Sequence, residues 1–167
     1  MRESDLCPVD VALFRSAMSL FITGVTIVTT EVNGAFQGMT VNSLTSVSLD
    51  PCLLLICPRR GSPTGKAIQQ RKAFAVNLLA TEQADISDRF VGPLGERFTG
   101  LDTRIDQFGL PLLPQSLAHF SCSLRAVYPG GDHDIVLGEV IACEVREGEP
   151  LLFYRGGVGR HRLQERA

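Results

Sequence analysis

The chain has no tryptophan, only two tyrosines, and lysine at positions 66 and 72 alone. Its 167 residues carry 16 Lys and Arg against 18 Asp and Glu, a net charge of −2. Almost all of the positive charge is therefore arginine, and no broad cationic face for nucleic acid is expected. Long apolar runs are also missing, and none approaches the roughly 20 residues needed to span a bilayer. Glu3, Asp5 and Asp10 interrupt the N-terminus, which predicts neither a secretory signal nor a transit peptide. The five cysteines, at 7, 52, 57, 122 and 143, are odd in number and form no Cys-x-x-Cys pair. They read as small core residues of a protein in a reducing compartment, the cytoplasm. Three dispersed histidines, His119, His133 and His161, offer no metal site, and Cys57 has no neighbouring base that would make it a nucleophile. The glycine-rich dinucleotide and phosphate loops, the Gly-x-Ser-x-Gly elbow and His-Glu-x-x-His are absent.

What is present is globular: 44% hydrophobic and 20% charged residues, in a length that suits one domain over 1–167. A domain of this size buries roughly 70% of its unfolded surface and needs no staple. Asp10 predicts the N-cap of a helix over 11–21, closed by Gly24, with apolar pairs at helical spacing packing one face on the core. Short β-rich runs follow. Asn33-Gly34 between 25–32 and 35–41 is a strong two-residue hairpin signal. Further strands are expected at 46–49, 52–57, 74–79, 119–128, 135–145 and 151–154, and their count points to a mainly β barrel. Ser62 or Thr64 should cap a helix through Arg71, and Thr81 another through about Phe90. The Gly- and Pro-rich stretch 91–114 has no clear periodicity and reads as a long functional loop or an excursion to a partner subunit.

Candidate chemistry concentrates in Gly38-Met-Thr-Val-Asn-Ser-Leu-Thr-Ser-Val-Ser-Leu-Asp-Pro51, where six of the nine residues from 40 to 48 bear a hydroxyl or an amide. Such a supply of small donors beside the apolar run 52–57 suits either a polar ligand or a solvated hairpin edge. Segment 57–64 leaves a strand, presents Arg59 and Arg60 and enters a helix, which is either an anion site or a solvated loop. Asn77 interrupts an apolar strand, so a ligand or neighbouring backbone must satisfy its amide. His133 sits in the glycine-rich turn before an alternating strand, between Asp132 and Asp134, which could hold its ring for a polar ligand contact or simply build a surface turn.

Taken together, these residues resemble the short-chain flavin reductase family, the reductase components of two-component flavin-dependent monooxygenases. The resemblance rests on Phe21-x-Thr-Gly-Val-Thr-x-Val-Thr-Thr30, on the 38–51 block, on Phe74-Ala-Val-Asn-Leu-Leu79, on Gly131-Asp-His133 and on Pro150-Leu-Leu-Phe-Tyr154, in family order. It implies a split β-barrel with flanking short helices that binds FMN or FAD and takes hydride from NADH or NADPH. Thr40, Val41, Asn42, Ser43 and Leu44, then Ser46, Val47 and Ser48, would line the flavin, with Cys57 beside them. Ser62 and Thr64 would lie near its phosphate. Asn77, Leu78 and Leu79 would complete that wall, and His133 and Tyr154 would face the nicotinamide nucleotide. Hydride transfer between cofactors implies no catalytic side chain. The resemblance further implies a homodimer and a separate monooxygenase that receives the reduced flavin, and no membrane or nucleic acid partner. Rival readings are a split barrel of the pyridoxamine-phosphate-oxidase or F420 kind, a flavin- or haem-binding protein without turnover, and a purely structural barrel.

Overall fold

The computed structural model describes residues 9–159; Cys7, His161 and the arginines at 160, 162 and 166 lie outside them. Asp10 caps α1 (Val11–Met18), its carboxylate accepting from the Leu13 amide at 2.9 Å. The helix is shorter than expected, because the Ser19 amide closes it on the Arg15 and Ala17 carbonyls, and Gly24 belongs instead to β1 (Thr23–Gly24). The expectation that α1 packs on the core is also corrected. None of its residues is buried, and Leu13 and Phe14 are 65% and 58% exposed.

β2 (Thr26–Val32) and β3 (Ala35–Val41) pair along their whole length around Asn33 and Gly34, whose φ angles of 54° and 80° are those of a two-residue hairpin turn. Then come β4 (Thr45–Leu49), β5 (Cys52–Ile56), α2 (Pro63–Arg71) and β6 (Ala73–Leu78). Ser62 caps α2 as predicted. A 3₁₀ turn at Thr81–Gln83 leads into α3 (Ala84–Val91). Thr81 does not cap α3; its hydroxyl donates to the Pro150 carbonyl, while the Gln83 side chain accepts from the Ala80 amide. β7 (Arg104–Ile105) and β8 (Pro111–Leu112) form a small ribbon, and the long strands β9 (Ala118–Gly130) and β10 (His133–Val145) form a hairpin. β11 (Leu152–Tyr154) pairs with β1 on one side and with β12 (Gly157–Gly159) on the other.

Seven antiparallel strands form one sheet in the order β3-β2-β6-β9-β10-β5-β4. Laid flat, its two edges would stand about 29 Å apart. Yet β3 and β4 are joined by Asn42, Ser43 and Leu44 alone, and a step from Val41 to Thr45 spans at most about 14 Å. The sheet must therefore roll up until its edges meet without pairing, which is a split barrel. The register agrees. Val41 leads across the strands to Val145 on β10, whereas Thr45 leads to Leu137, so the strands tilt as barrel closure requires.

Val28, Ile56, Ile68, Phe74, Val76, Cys122 and Val136 fill the ring. Burial pushes the Cys122 thiol up to about 12, with Cys143 adding to the effect, so it is inert there. A second cluster of Val25, Ile27, Leu79, Phe90, Leu113 and Leu151 lies outside it. The 91–114 stretch is no free loop: Leu110, Leu112 and Leu113 are buried, and the Arg97 guanidinium donates to the Gly92 and Gly38 carbonyls.

Gly138 sits at a register shift of β10 inside the ring, where a Cβ would come within 2.5 Å of Phe74 Cζ and 3.1 Å of Cys122 Cβ. Gly138→Ala should therefore cost about 1–3 kcal/mol and lower the melting temperature by roughly 3–10 °C. Thermal unfolding checks this, and an unchanged midpoint would mean that Phe74 can retreat.

Candidate functional site

The strap between the two sheet edges is a built shelf. Val41 and Leu44 pack against the ring's core and anchor its ends, so these two expected ligand contacts act mainly as fastenings. Between them, Asn42 is exposed and Ser43 Oγ accepts from the Cys57 amide at 2.9 Å, which ties the strap to the exit of β5. Burial raises the Cys57 thiol and the nearby Ser43 hydroxyl lowers it by less, so sulfur stays protonated at neutral pH and is no nucleophile. Beyond it, Ser62 Oγ accepts from the Gly65 amide at 3.2 Å. A Cβ on Gly65 would stand 2.8 Å from that oxygen, so glycine is what lets the cap close. Thr64, expected near a phosphate, is 1% exposed, turned into the core side of α2.

The hydroxyls of the shelf divide by what they have left to give. Ser43, Ser48 and Ser62 accept from backbone amides, so each keeps its own O–H proton for an acceptor. Thr45 and Ser46 are exposed and make no side-chain hydrogen bond among the described residues. Ser46 pairs opposite buried Leu54 yet remains exposed because β4 is an edge. Thr40 differs: its hydroxyl proton goes to the Ser87 carbonyl at 2.7 Å, which removes it as a donor to a ligand. A row of O–H donors beside a helix N-terminus fits a partner rich in acceptors, such as a phosphate or the carbonyls of a flavin. Thr45 is the residue absent from the sequence expectation, although it lies in the same hydroxyl run.

Asn77 does not serve a ligand. It is 0% exposed, its Nδ2 donates to the Ile27 carbonyl at 3.0 Å and to Thr29 Oγ1 at 3.1 Å, and its Oδ1 accepts from the Leu113 amide at 2.8 Å. Of the two sources open to it, neighbouring chain supplies every bond. Leu79 is also fully buried and its amide bonds to the Val25 carbonyl, and Leu78 is half-buried against Gly24. Of the expected wall, Asn77 and Leu79 are interior, and Leu78 is half-buried.

The structure does bring together two segments that are remote in sequence. Arg59 bridges His133, the Arg60 amide donates to the Asp132 carbonyl, and the Asp134 amide donates to the Pro58 carbonyl, both at 2.9 Å. His133 Nδ1 meets Asp132 Oδ1 at 2.8 Å. That hydrogen bond holds the Asp132 carboxyl below the usual carboxylate range, so the contact is intact at neutral pH and is lost as pH falls through the lowered titration. Asp134 does not hold the ring, since it faces Arg60 Nε at 3.4 Å. Tyr154 ends β11 on the smaller sheet, with the Arg155 guanidinium 5.4 Å from its ring centroid and the Arg155 amide bonded to the Ser19 carbonyl.

Two hollows of the chain lie elsewhere. One, of about 280 Å³, lies between 104–108 and the β9–β10 pair; the other is bounded by Phe36, Leu94 and Phe98. The strap is by contrast an open shelf.

The sequence pattern of the flavin reductase like domain matches residues 18–162. The chain belongs to that family. It is 42% identical over 149 residues to HsaB, the reductase subunit of a flavin-dependent monooxygenase from Rhodococcus jostii, covering 89% of this chain and 76% of that one. It is also 42% identical over 151 residues to the FMN reductase (NADH) SmoA of Agrobacterium fabrum, covering 90% and 86%. Among solved structures, the NADH:FAD oxidoreductase SgcE6 of Streptomyces globisporus, in complex with NAD and FAD fragments, superposes with a TM-score of 0.90 at 34% identity, over 96% of this chain and 98% of that one. Like the family, this chain is mainly β, with a large antiparallel sheet and short helices.

Proposed function

We propose that this chain is an NAD(P)H-dependent flavin reductase that supplies reduced FMN or FAD to a separate flavin-dependent monooxygenase. The observation that carries this reading is the shelf of O–H donors that the rolled sheet sets beside the N-terminus of α2. The relatives' names support it. When bound, the flavin supplies the hydride acceptor and the nicotinamide the donor, so the protein's part is binding, orientation and exclusion of water. Ser43, Ser48 and Ser62 would direct their remaining protons to the flavin's phosphate and carbonyl oxygens, with Asn42, Thr45 and Ser46 completing the shelf. His133, its Nδ1 engaged by Asp132, would meet the nicotinamide nucleotide through Nε2, with Tyr154 bordering the same space.

An open shelf excludes little water by itself, and this favours a homodimer in which a second copy covers it. The exposed apolar run on and after α1 supports that, because Val11, Leu13, Phe14 and Phe21 are each more than half exposed, an arrangement that marks an interface. Among the described residues no helix is long and apolar enough to cross a membrane. The four described cysteines are free, which supports a reducing compartment such as the cytoplasm, and the flavin reductase like pattern over 18–162 supports a single domain.

A steady-state assay of the purified chain with NADH or NADPH and FMN, FAD or riboflavin tests the reading. Turnover with at least one pair is expected; bound flavin without nicotinamide oxidation would mean a binding protein instead. In the same assay, His133→Ala should raise the KM for the nicotinamide with kcat largely kept and flavin affinity nearly intact, the pattern of lost uniform binding. Loss of flavin with normal nicotinamide kinetics per bound flavin would move His133 to the flavin side.

A further inference from the structure

The turn between β9 and β10 is fastened to segment 58–60 by main chain on both sides, through the Arg60 amide to the Asp132 carbonyl and the Asp134 amide to the Pro58 carbonyl. Between these two bonds Arg59 and His133 are bridge partners. Opposite residues of an antiparallel bridge project from the same face, with Cβ atoms about 4.5–5.5 Å apart. The Arg59 and His133 side chains therefore leave the rim side by side, their Cβ atoms placed by backbone. Pro58 behind them is buried, which fixes the segment.

The charges around them are unevenly matched. Asp134 faces Arg60, and Asp132 faces His133. Arg59 is exposed and forms no ion pair among the described residues. Its field does reach Asp132, where it adds a small part to the lowering caused chiefly by His133. A surface arginine is ordinarily just solvated. Arg59 differs in that its backbone is tethered beside the one imidazole of the rim, while its neighbours have already matched one another's charge. That leaves its N–H fork as the free cationic donor set there, and a phosphate is the partner such a fork accepts bidentately.

We propose that Arg59 anchors a phosphate group of the nicotinamide nucleotide beside His133. This rests on the reading above that His133 meets that nucleotide. The phosphate has two sources, the pyrophosphate common to both nucleotides and the 2′-phosphate of NADPH alone, and the kinetics separate them.

The experiment is steady-state kinetics of wild type, Arg59→Ala and Arg59→Lys with each nucleotide, together with flavin dissociation constants from fluorescence. Arg59→Ala should raise the nicotinamide KM on the order of tenfold or more, with kcat and flavin affinity little changed. Lys should restore part of the loss, since it keeps the charge without the fork. An equal rise for NADH and NADPH identifies the pyrophosphate, and a rise confined to NADPH identifies the 2′-phosphate; either supports the proposal. A weakened flavin with unchanged nicotinamide KM would assign Arg59 to the flavin phosphate, and no change in either would make it a solvated arginine. Both of those results overturn the proposal. A wild-type chain that oxidises neither nucleotide overturns the flavin reductase reading itself and this assignment with it, an outcome visible before any variant is made.

Discussion

Asn77→Ala should lower stability by about 3 kcal/mol or more while leaving the flavin affinity of the folded protein intact, because truncation strands buried backbone groups at about 1–3 kcal/mol each. The Leu113 amide would lose its acceptor, and the Ile27 carbonyl and Thr29 hydroxyl would lose a donor, all in a site with no accessible surface. For a chain of this length the midpoint of thermal unfolding should fall by roughly 6–12 °C. Titration of flavin below that midpoint separates structure from ligand contact. If flavin affinity drops while the midpoint holds, Asn77 touches ligand after all and its interior role is wrong.

The second large effect is expected on assembly. Phe14→Glu puts a carboxylate into the exposed apolar face of α1, which an isolated chain tolerates because that residue is 58% exposed. In a dimer that buries this face, the unpaired charge would cost several kcal/mol, roughly a hundredfold or more in the dimer dissociation constant. Light scattering at low micromolar concentration should therefore show a species of twice 18.1 kDa for the wild type and one of 18.1 kDa for the variant, with reductase activity lost alongside. A fully active wild type of 18.1 kDa would remove the dimer from the account.

Where local chemistry decides structure, the sequence was readable. Asn33-Gly34 dictates its hairpin because two successive residues must take positive φ, and Ser62 before Pro63 dictates the start of α2. Alternating apolar positions marked β10. Where distant partners decide, it was not. The period of α1 shows that one face is apolar, but not which surface covers it. Asn77 gives no sign that Leu113, 36 residues away, will donate to it. Leu110, Leu112 and Leu113 lie in a stretch without periodicity because the β7–β8 ribbon there has only two residues per strand, too few to show a period, although the leucines are buried against Ala75 and the Ile27–Leu79 cluster. Thr40 looks like its neighbours in composition, and only the position of α3 shows where its proton goes. The pairing of Arg59 with His133 depends on the register of β5 with β10, which no local signal carries.

The strap of Asn42, Ser43 and Leu44 closes the ring, and it belongs to the shelf proposed to hold the flavin. A surface loop ordinarily absorbs insertions, because its length is almost free to drift. Here an added residue would let β3 and β4 move apart, and one removed would pull them past each other. Length is therefore frozen by architecture while side-chain identity stays open. Proteins built on this plan can change what they hold only by respelling those few positions, so their history should be one of substitution at the slit and of insertion everywhere else.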